Sequence, residues 1–223
     1  MDDKMTTIAI IGAGRGLGAA TAKRFGRGGF DVALISRRQE HVDLLTRDLV
    51  NEGIKAQGFA ADVENRQSLS AALERAATEL GPIEVLQYSP VPRKEFLRPV
   101  LETTADDLAA AVAFSILGPA TAVQQVLGGM RQLGRGTILF VNGSSAVRPN
   151  EQVAGTSTAF AGESAYASML HTALQPENIQ VRQLIIPGAI GGGDPAFAPD
   201  ALADQLWELH TEPGILRKTV SEN

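Results

Sequence analysis

The segment Thr7-Ile8-Ala9-Ile10-Ile11-Gly12-Ala13-Gly14-Arg15-Gly16-Leu17-Gly18 constrains this chain more than any other stretch. Its first residues are near-continuously apolar and β-branched, the pattern of a central parallel strand covered on both faces. Glycines then recur at positions 12, 14, 16 and 18. Glycine lets a chain turn through positive φ, lets a ligand approach the backbone, and lets a helix pack closely against its own strand. From Leu17 the pattern turns helical, so free N–H groups and the positive end of the helix dipole face the turn. Strand, glycine turn and helix start together make a site for an anion such as a phosphate.

The 223 residues suit one domain, 1–223, and are few for two. A net charge of −5 without a basic cluster argues against a nucleic-acid partner. The chain has no cysteine, which excludes disulfides and thiolate chemistry, and His41, His171 and His210 lack metal-ligand spacing. Met1-Asp2-Asp3-Lys4 leads directly into the first strand, and no apolar run approaches the roughly 18 residues of a membrane span. The expectation is a cytoplasmic protein with no membrane partner.

Strand-like and helix-like segments alternate along the chain, which predicts crossover helices on a parallel sheet. Helices are expected over 17–27, 39–51, 67–80 and 199–210, with a long one over 105–132 that kinks or breaks at Gly118-Pro119. Strands are expected over 30–35, 54–59, 83–87 and 136–142, with another from Ile179 and an edge strand over 215–220. The architecture that follows is α/β: a Rossmann-like, doubly wound three-layer sandwich around a parallel sheet of about seven strands.

Gly12, Gly16 and Gly18 set the spacing G-x-x-x-G-x-G, and the segment resembles the first βα turn of the short-chain dehydrogenase/reductase family. Asp62-Val63, Ser145 after the fifth strand and the Pro187-Gly188 turn resemble further family features and fall in the same order. The resemblance implies a nicotinamide dinucleotide held by Gly12, Gly14, Arg15, Gly16, Leu17 and Gly18. It places Asp62 and Val63 at the adenine, and Ser89, Pro187, Gly188 and Ile190 toward the nicotinamide. Asp62 would serve equally well as a helix N-cap. An acidic side chain at the end of the second strand would take a ribose 2′-hydroxyl, yet this chain has Ser36-Arg37-Arg38 there. The arginine fork suits a phosphate, and Arg15 adds a third positive charge, so NADP(H) is expected over NAD(H). The alternative is that Arg37 and Arg38 are simply a solvated helix start.

The family's proton chemistry rests on Tyr-x-x-x-Lys, one helical turn apart. Counting back from Pro187-Gly188 puts Thr156 and Phe160 in those slots, while counting forward from Ser145 gives Thr158. Neither register supplies a tyrosine followed by a lysine, and no lysine lies between Lys94 and Lys218. Ser115 takes the place of the family's supporting asparagine, and Tyr88-Ser89-Pro90 that of its Asn-Ala-Gly turn. The candidate catalytic residues are Ser145, Tyr88 and Thr156, with Asn150 and Glu151 able to approach a substrate. Tyr88 is favoured by its place at a strand's carboxyl end. Tyr166 and His171 lie about 15 and 22 Å along the helix and read as packing or an oligomer face.

Two functions remain open on this reading. One is a divergent NADP(H)-dependent oxidoreductase moving hydride to or from a small carbonyl, imine, quinone or activated enone. The other is a cofactor-binding protein without redox activity: a sensor, a partner subunit or a non-redox catalyst. The C-terminal segment 191–223 gives only a short substrate lid, and Ala201, Leu202, Leu206, Trp207 and Leu209 offer an apolar face to the domain or to a neighbour. A homodimer or homotetramer is implied by the resemblance.

Overall fold

In the computed structural model, which describes residues 5–221, the alternating pattern becomes seven strands and seven α-helices. In chain order they are β1 (Thr7–Ile11), α1 (Leu17–Arg27), β2 (Asp31–Ser36), α2 (Gln39–Asn51), β3 (Ala56–Ala60), α3 (Arg66–Leu80) and β4 (Ile83–Tyr88). There follow α4 (Ala105–Val112), α5 (Gly118–Leu133), β5 (Gly136–Gly143), α6 (Ala154–Leu174), β6 (Ile179–Ile186), α7 (Pro199–Thr211) and β7 (Arg217–Thr219). The lead-in Met1 to Lys4 lies outside the described residues.

All strand pairs are parallel and the sheet order is β3-β2-β1-β4-β5-β6-β7. The chain therefore winds outward from β1 in one direction and then outward from β4 in the other. The crevice between the carboxyl ends of β1 and β4 is the switch point where doubly wound sheets bind ligands. Every residue of β1 is buried, as its unbroken apolar run requires in a strand with a helix layer on each face. One core layer joins the sheet to α3 and α5, and the other joins it to α1, α2 and α7.

Two strands begin later than expected because their first apolar residues close the preceding turns. The Phe30 N–H bonds to the Phe25 carbonyl at 3.2 Å, and its ring packs edge-on against Phe25 and Trp207. The Ile54 N–H bonds to the Leu49 carbonyl at 3.0 Å, closing α2. The apolar face of α7 does bury within this chain: Leu202 and Leu206 are fully buried on the core. Trp207 sits directly above Gly28, where a β-carbon would come within 2.2 Å of the indole.

The kink or break expected at Gly118-Pro119 is not a break: a single widened turn, Ala113–Leu117, joins α4 to α5 in π-helical register. The Gly118 N–H reaches back five residues to the Ala113 carbonyl. Pro119 has no N–H to donate, so the ladder cannot continue regularly past it, and a π turn absorbs the fault without breaking the helix. This continuity corrects the expectation about apolar runs. Ala105–Leu133 is 29 residues of helix, long and apolar enough by length and composition to cross a membrane. Here it is a core helix: Ala111, Phe114, Ala122, Val123, Val126 and Met130 all pack into the sheet's core layer.

Candidate active site

Two adjoining cavities open over the switch point. The first, about 650 Å³, runs from Gly12, Gly14, Arg15, Gly16, Leu17 and Gly18 past Ser89 to Asn142, Ser145, Thr156, Phe160, Pro187, Gly188 and Ile190. The second, about 600 Å³, shares Gly12 and Gly14 with it and ends on Ser36, Arg37, Arg38, His41, Ala61 and Val63. Nearly all the residues singled out in the sequence thus line one continuous trough. Asp62 lies beside it, where its Oδ1 accepts from the Glu64 N–H at 3.0 Å. The N-cap alternative for Asp62 is excluded, since Asn65 caps α3 by accepting from the Ser68 N–H.

The four glycines divide into two kinds. Gly12 has φ +88°, and a β-carbon there would sit 2.5 Å from the Pro90 backbone; one on Gly18 would sit 2.9 Å from Ala13 Cα. Those two glycines are demanded by the protein's own packing. Around Gly16 no protein atom lies within 4 Å of where a β-carbon would be, and Gly14 has only an ordinary contact at 3.9 Å. Both face the first cavity at the start of α1. Open space over glycine at a helix N-terminus fits the pyrophosphate of a dinucleotide.

Arg15, Arg37 and Arg38 are exposed, and none forms a salt bridge among the described residues. In contrast, Arg93 is paired with Glu64 at 2.9 Å and Arg98 with Asp107 at 3.0 Å. The three arginines at the trough thus face it without a carboxylate partner of their own.

The opposite end is walled in part by α6. Thr156 and Phe160 face the cavity, whereas Thr158 is exposed on the other side of the helix. The Thr156 hydroxyl donates to the Phe96 carbonyl at 3.3 Å. Ser145 is largely buried at the cavity wall, and its hydroxyl has no hydrogen-bond partner among the described residues. Asn150 also lines the cavity, and Glu151 does not.

Tyr88 is a correction. Its side chain turns into the core beneath the π turn, where its hydroxyl donates to the Phe114 carbonyl, and it does not line either cavity. Burial, reinforced by the Glu163 carboxyl, holds its phenol well above the ordinary tyrosine range. Ser115 is likewise buried in the π turn, away from the cavity. Tyr166 packs edge-on against Phe140, and the His171 ring bonds to the Val181 carbonyl at 3.0 Å, so both are structural.

Among the described residues the first cavity is consequently lined by no tyrosine, lysine, histidine or carboxylate; its polar wall is serine, threonine, asparagine and Arg15. The nearest buried acid stands one layer behind that wall. Glu163, fully buried on α6, accepts from Asn142 Nδ2 at 3.1 Å, and burial pushes its carboxyl up to about 8. Sequence reading missed Glu163, Asn142 and His41. The first had a signal: an acidic residue seven positions past Thr156, two turns along and therefore on the same, inward face of α6.

A family model described as short chain dehydrogenase matches residues 6–193 of this chain. A short-chain reductase protein, NovJ, of Streptomyces niveus is 29% identical over 200 residues, covering 89% of this chain and 71% of its own length. Two other curated relatives are longer, and the chain spans only 54% and 55% of their lengths. Among solved structures, a short-chain dehydrogenase from Rhodopseudomonas palustris superposes with a TM-score of 0.87 at 25% identity, covering 98% of this chain and 99% of that one. A metagenomic short-chain oxidoreductase in complex with NADP superposes with a TM-score of 0.86 at 22% identity over 98% and 97% of the two chains. With its parallel sheet, its glycine turn at the switch point and a family match over most of its length, this chain belongs to the short-chain dehydrogenase family.

Proposed function

We propose that this protein is an NADP(H)-dependent oxidoreductase acting on an apolar carbonyl, imine, quinone or activated enone that needs no proton from a tyrosine. The observation that carries this reading is the continuous trough with unpaired arginines at one end and Ser145 at the other. Gly14, Arg15, Gly16, Leu17 and Gly18 would hold the pyrophosphate, Arg37 and Arg38 the 2′-phosphate, and Asp62 and Val63 the adenine. Pro187, Gly188, Ile190 and Ser89 would border the nicotinamide. When bound, the cofactor supplies hydride chemistry.

The remaining tasks fall to the chain. Ser145 offers its free hydroxyl as a donor to the acceptor atom, orienting it and stabilising charge that develops there. Thr156, spent on Phe96, shapes the wall, and Phe160 keeps the floor apolar. The mouth carries Val91 at 83% exposure, with Leu97 and Ile190 also exposed, which suits an apolar substrate reaching past the rim. A missing side-chain acid costs about 10²–10⁴-fold in rate for a substrate that must be protonated, so acceptors that are already activated are favoured. The cytoplasmic location, the single domain and the homodimer or homotetramer expected from the sequence belong with this reading.

NADPH consumption followed by absorbance across ketones, imines, quinones and enones tests it. Turnover of an activated acceptor, lowered by Ser145→Ala, is the expected result. Tight NADPH binding without turnover of any acceptor would instead establish the binding-only function.

A further inference from the structure

Four polar side chains from four different elements connect the sheet edge to the cavity. Arg217 Nε on β7 donates to Gln183 Oε1 at 2.7 Å; Gln183 Nε2 on β6 donates to Asn142 Oδ1 and to Ser164 Oγ, both at 2.7 Å. Asn142 Nδ2 on β5 then donates to Glu163 Oε1 on α6 at 3.1 Å. Gln183 and Glu163 are almost wholly inaccessible, and Asn142 lines the first cavity.

The direction of this chain follows from its first member. An arginine Nε–H can only donate, so the Gln183 oxygen must face it and the Gln183 nitrogen must face Asn142. The Asn142 oxygen is thereby used as an acceptor, and its nitrogen is turned toward Glu163. Neither amide can flip without pairing donor with donor in a buried setting, a costly arrangement. The Asn142 nitrogen keeps a second hydrogen that no described residue accepts.

We infer that Arg217, Gln183, Asn142 and Glu163 form one directional hydrogen-bond chain that fixes Asn142 as a donor at the β5 wall of the cavity, with Glu163 the positioning residue at its buried end. The inference deepens the proposed function and rests on it: beside the Ser145 hydroxyl, Asn142 would give the cavity a second donor for the lone pair of a neutral carbonyl or imine. Glu163 acts only through Asn142. Either protonation state can serve, because the acceptor is Oε1, and in the neutral acid the proton resides on Oε2. Burial favours the neutral form at physiological pH. The other titratable group facing Glu163 is Tyr88 on β4, whose phenol burial keeps neutral, and the charge at the far end is Arg217.

The side-chain amide of Asn142, observed by isotope-edited NMR in the full chain, reports the arrangement directly and independently of turnover. The wild-type amide should be protected from exchange and should shift as Glu163 titrates around pH 8. Glu163→Gln, which keeps an acceptor, should retain the protection and lose the titration. Glu163→Leu and Arg217→Met should lose protection by about tenfold or more, from opposite ends of the chain, with NADPH affinity by fluorescence unchanged. On any acceptor that the wild type reduces, these two variants should lower kcat about tenfold with the KM for NADPH preserved, and Glu163→Gln should restore kcat. An Asn142 amide that is indifferent to both Glu163→Leu and Arg217→Met overturns the inference. If Glu163→Leu does not fold, Arg217→Met at the half-buried edge strand decides alone. If no acceptor is reduced by the wild type, the proposed function fails while the NMR result still decides the chain.

Discussion

The Tyr88 hydroxyl donates to the Phe114 carbonyl, an acceptor that the π turn before Pro119 leaves without a helical partner. In π register the Phe114 carbonyl would accept from residue 119, and proline has no N–H to give. Gly118 makes the approach possible, because a β-carbon there would come within 2.5 Å of the tyrosine oxygen. A tyrosine with the topological address of a catalytic group is therefore part of the helix's own repair.

Tyr88→Phe should accordingly destabilise the fold by about 1–3 kcal/mol, the cost of leaving a buried acceptor unpaired. NADPH affinity should stay unchanged. Chemical denaturation and a cofactor titration on the same variant check both halves, and a large loss of affinity with unaltered stability would contradict this placement.

The glycine turn separates fold from ligand. Gly12→Ala meets the Pro90 backbone at 2.5 Å in a conformation with φ +88°, and should cost about 2 kcal/mol or more of stability. Gly16→Ala meets no protein atom and should fold with a penalty of about 1 kcal/mol or less. Its NADPH affinity should nonetheless fall by about tenfold or more, because the added methyl occupies space meant for the pyrophosphate. Thermal melts set beside fluorescence titrations distinguish the two glycines.

Arg37→Asp should shift cofactor preference toward NADH. Loss of a charge-assisted hydrogen bond to phosphate is worth about 1.5–3 kcal/mol, or about 10- to 150-fold in affinity. The parent protein should bind NADPH more tightly than NADH, with the difference shrinking as salt screens the exposed arginines. Equal binding of the two by the parent chain would remove the 2′-phosphate assignment.

Glu163 makes stability depend on pH in an unusual direction. Its folded-state carboxyl titrates at about 8, above the ordinary carboxylate value of 4.5, so between these values the native state holds a proton that the unfolded chain has released. Stability should fall as pH rises through this window, by up to about 1.4 kcal/mol per unit from this one group, and level off above it. Glu163→Gln should flatten that slope and be the more stable protein at the alkaline end. Urea denaturation at a series of pH values measures the difference.

How much of this protein could be read from its sequence varies with the range of the interactions involved. The unbroken apolar run at Ile8 to Ile11, the glycines after it, and the apolar spacing of α2 with Gly53 beyond its end are local signals, and the parallel sheet with its turn at the switch point follows from them. The same holds for Thr156 and Phe160 lining the cavity, because their distance to Pro187-Gly188 is set by regular helix and strand geometry. Where Tyr88 points was beyond local reading. It depends on a carbonyl 26 residues away, released by a proline in another element.

By itself, the sequence determined the α/β class, the order of strands and helices and the location of the trough, since these rest on hydrophobic period, turn chemistry and the handedness of crossovers. Tertiary structure alone decided that α4 and α5 run on through a π turn, that Gly16 is open while Gly12 is crowded, and that a buried glutamic acid stands behind Asn142. The reason is physical. Burial and hydrogen-bond partnership belong to groups that meet only when distant segments pack, so a residue's type announces what it can do, and its neighbours in space settle what it does.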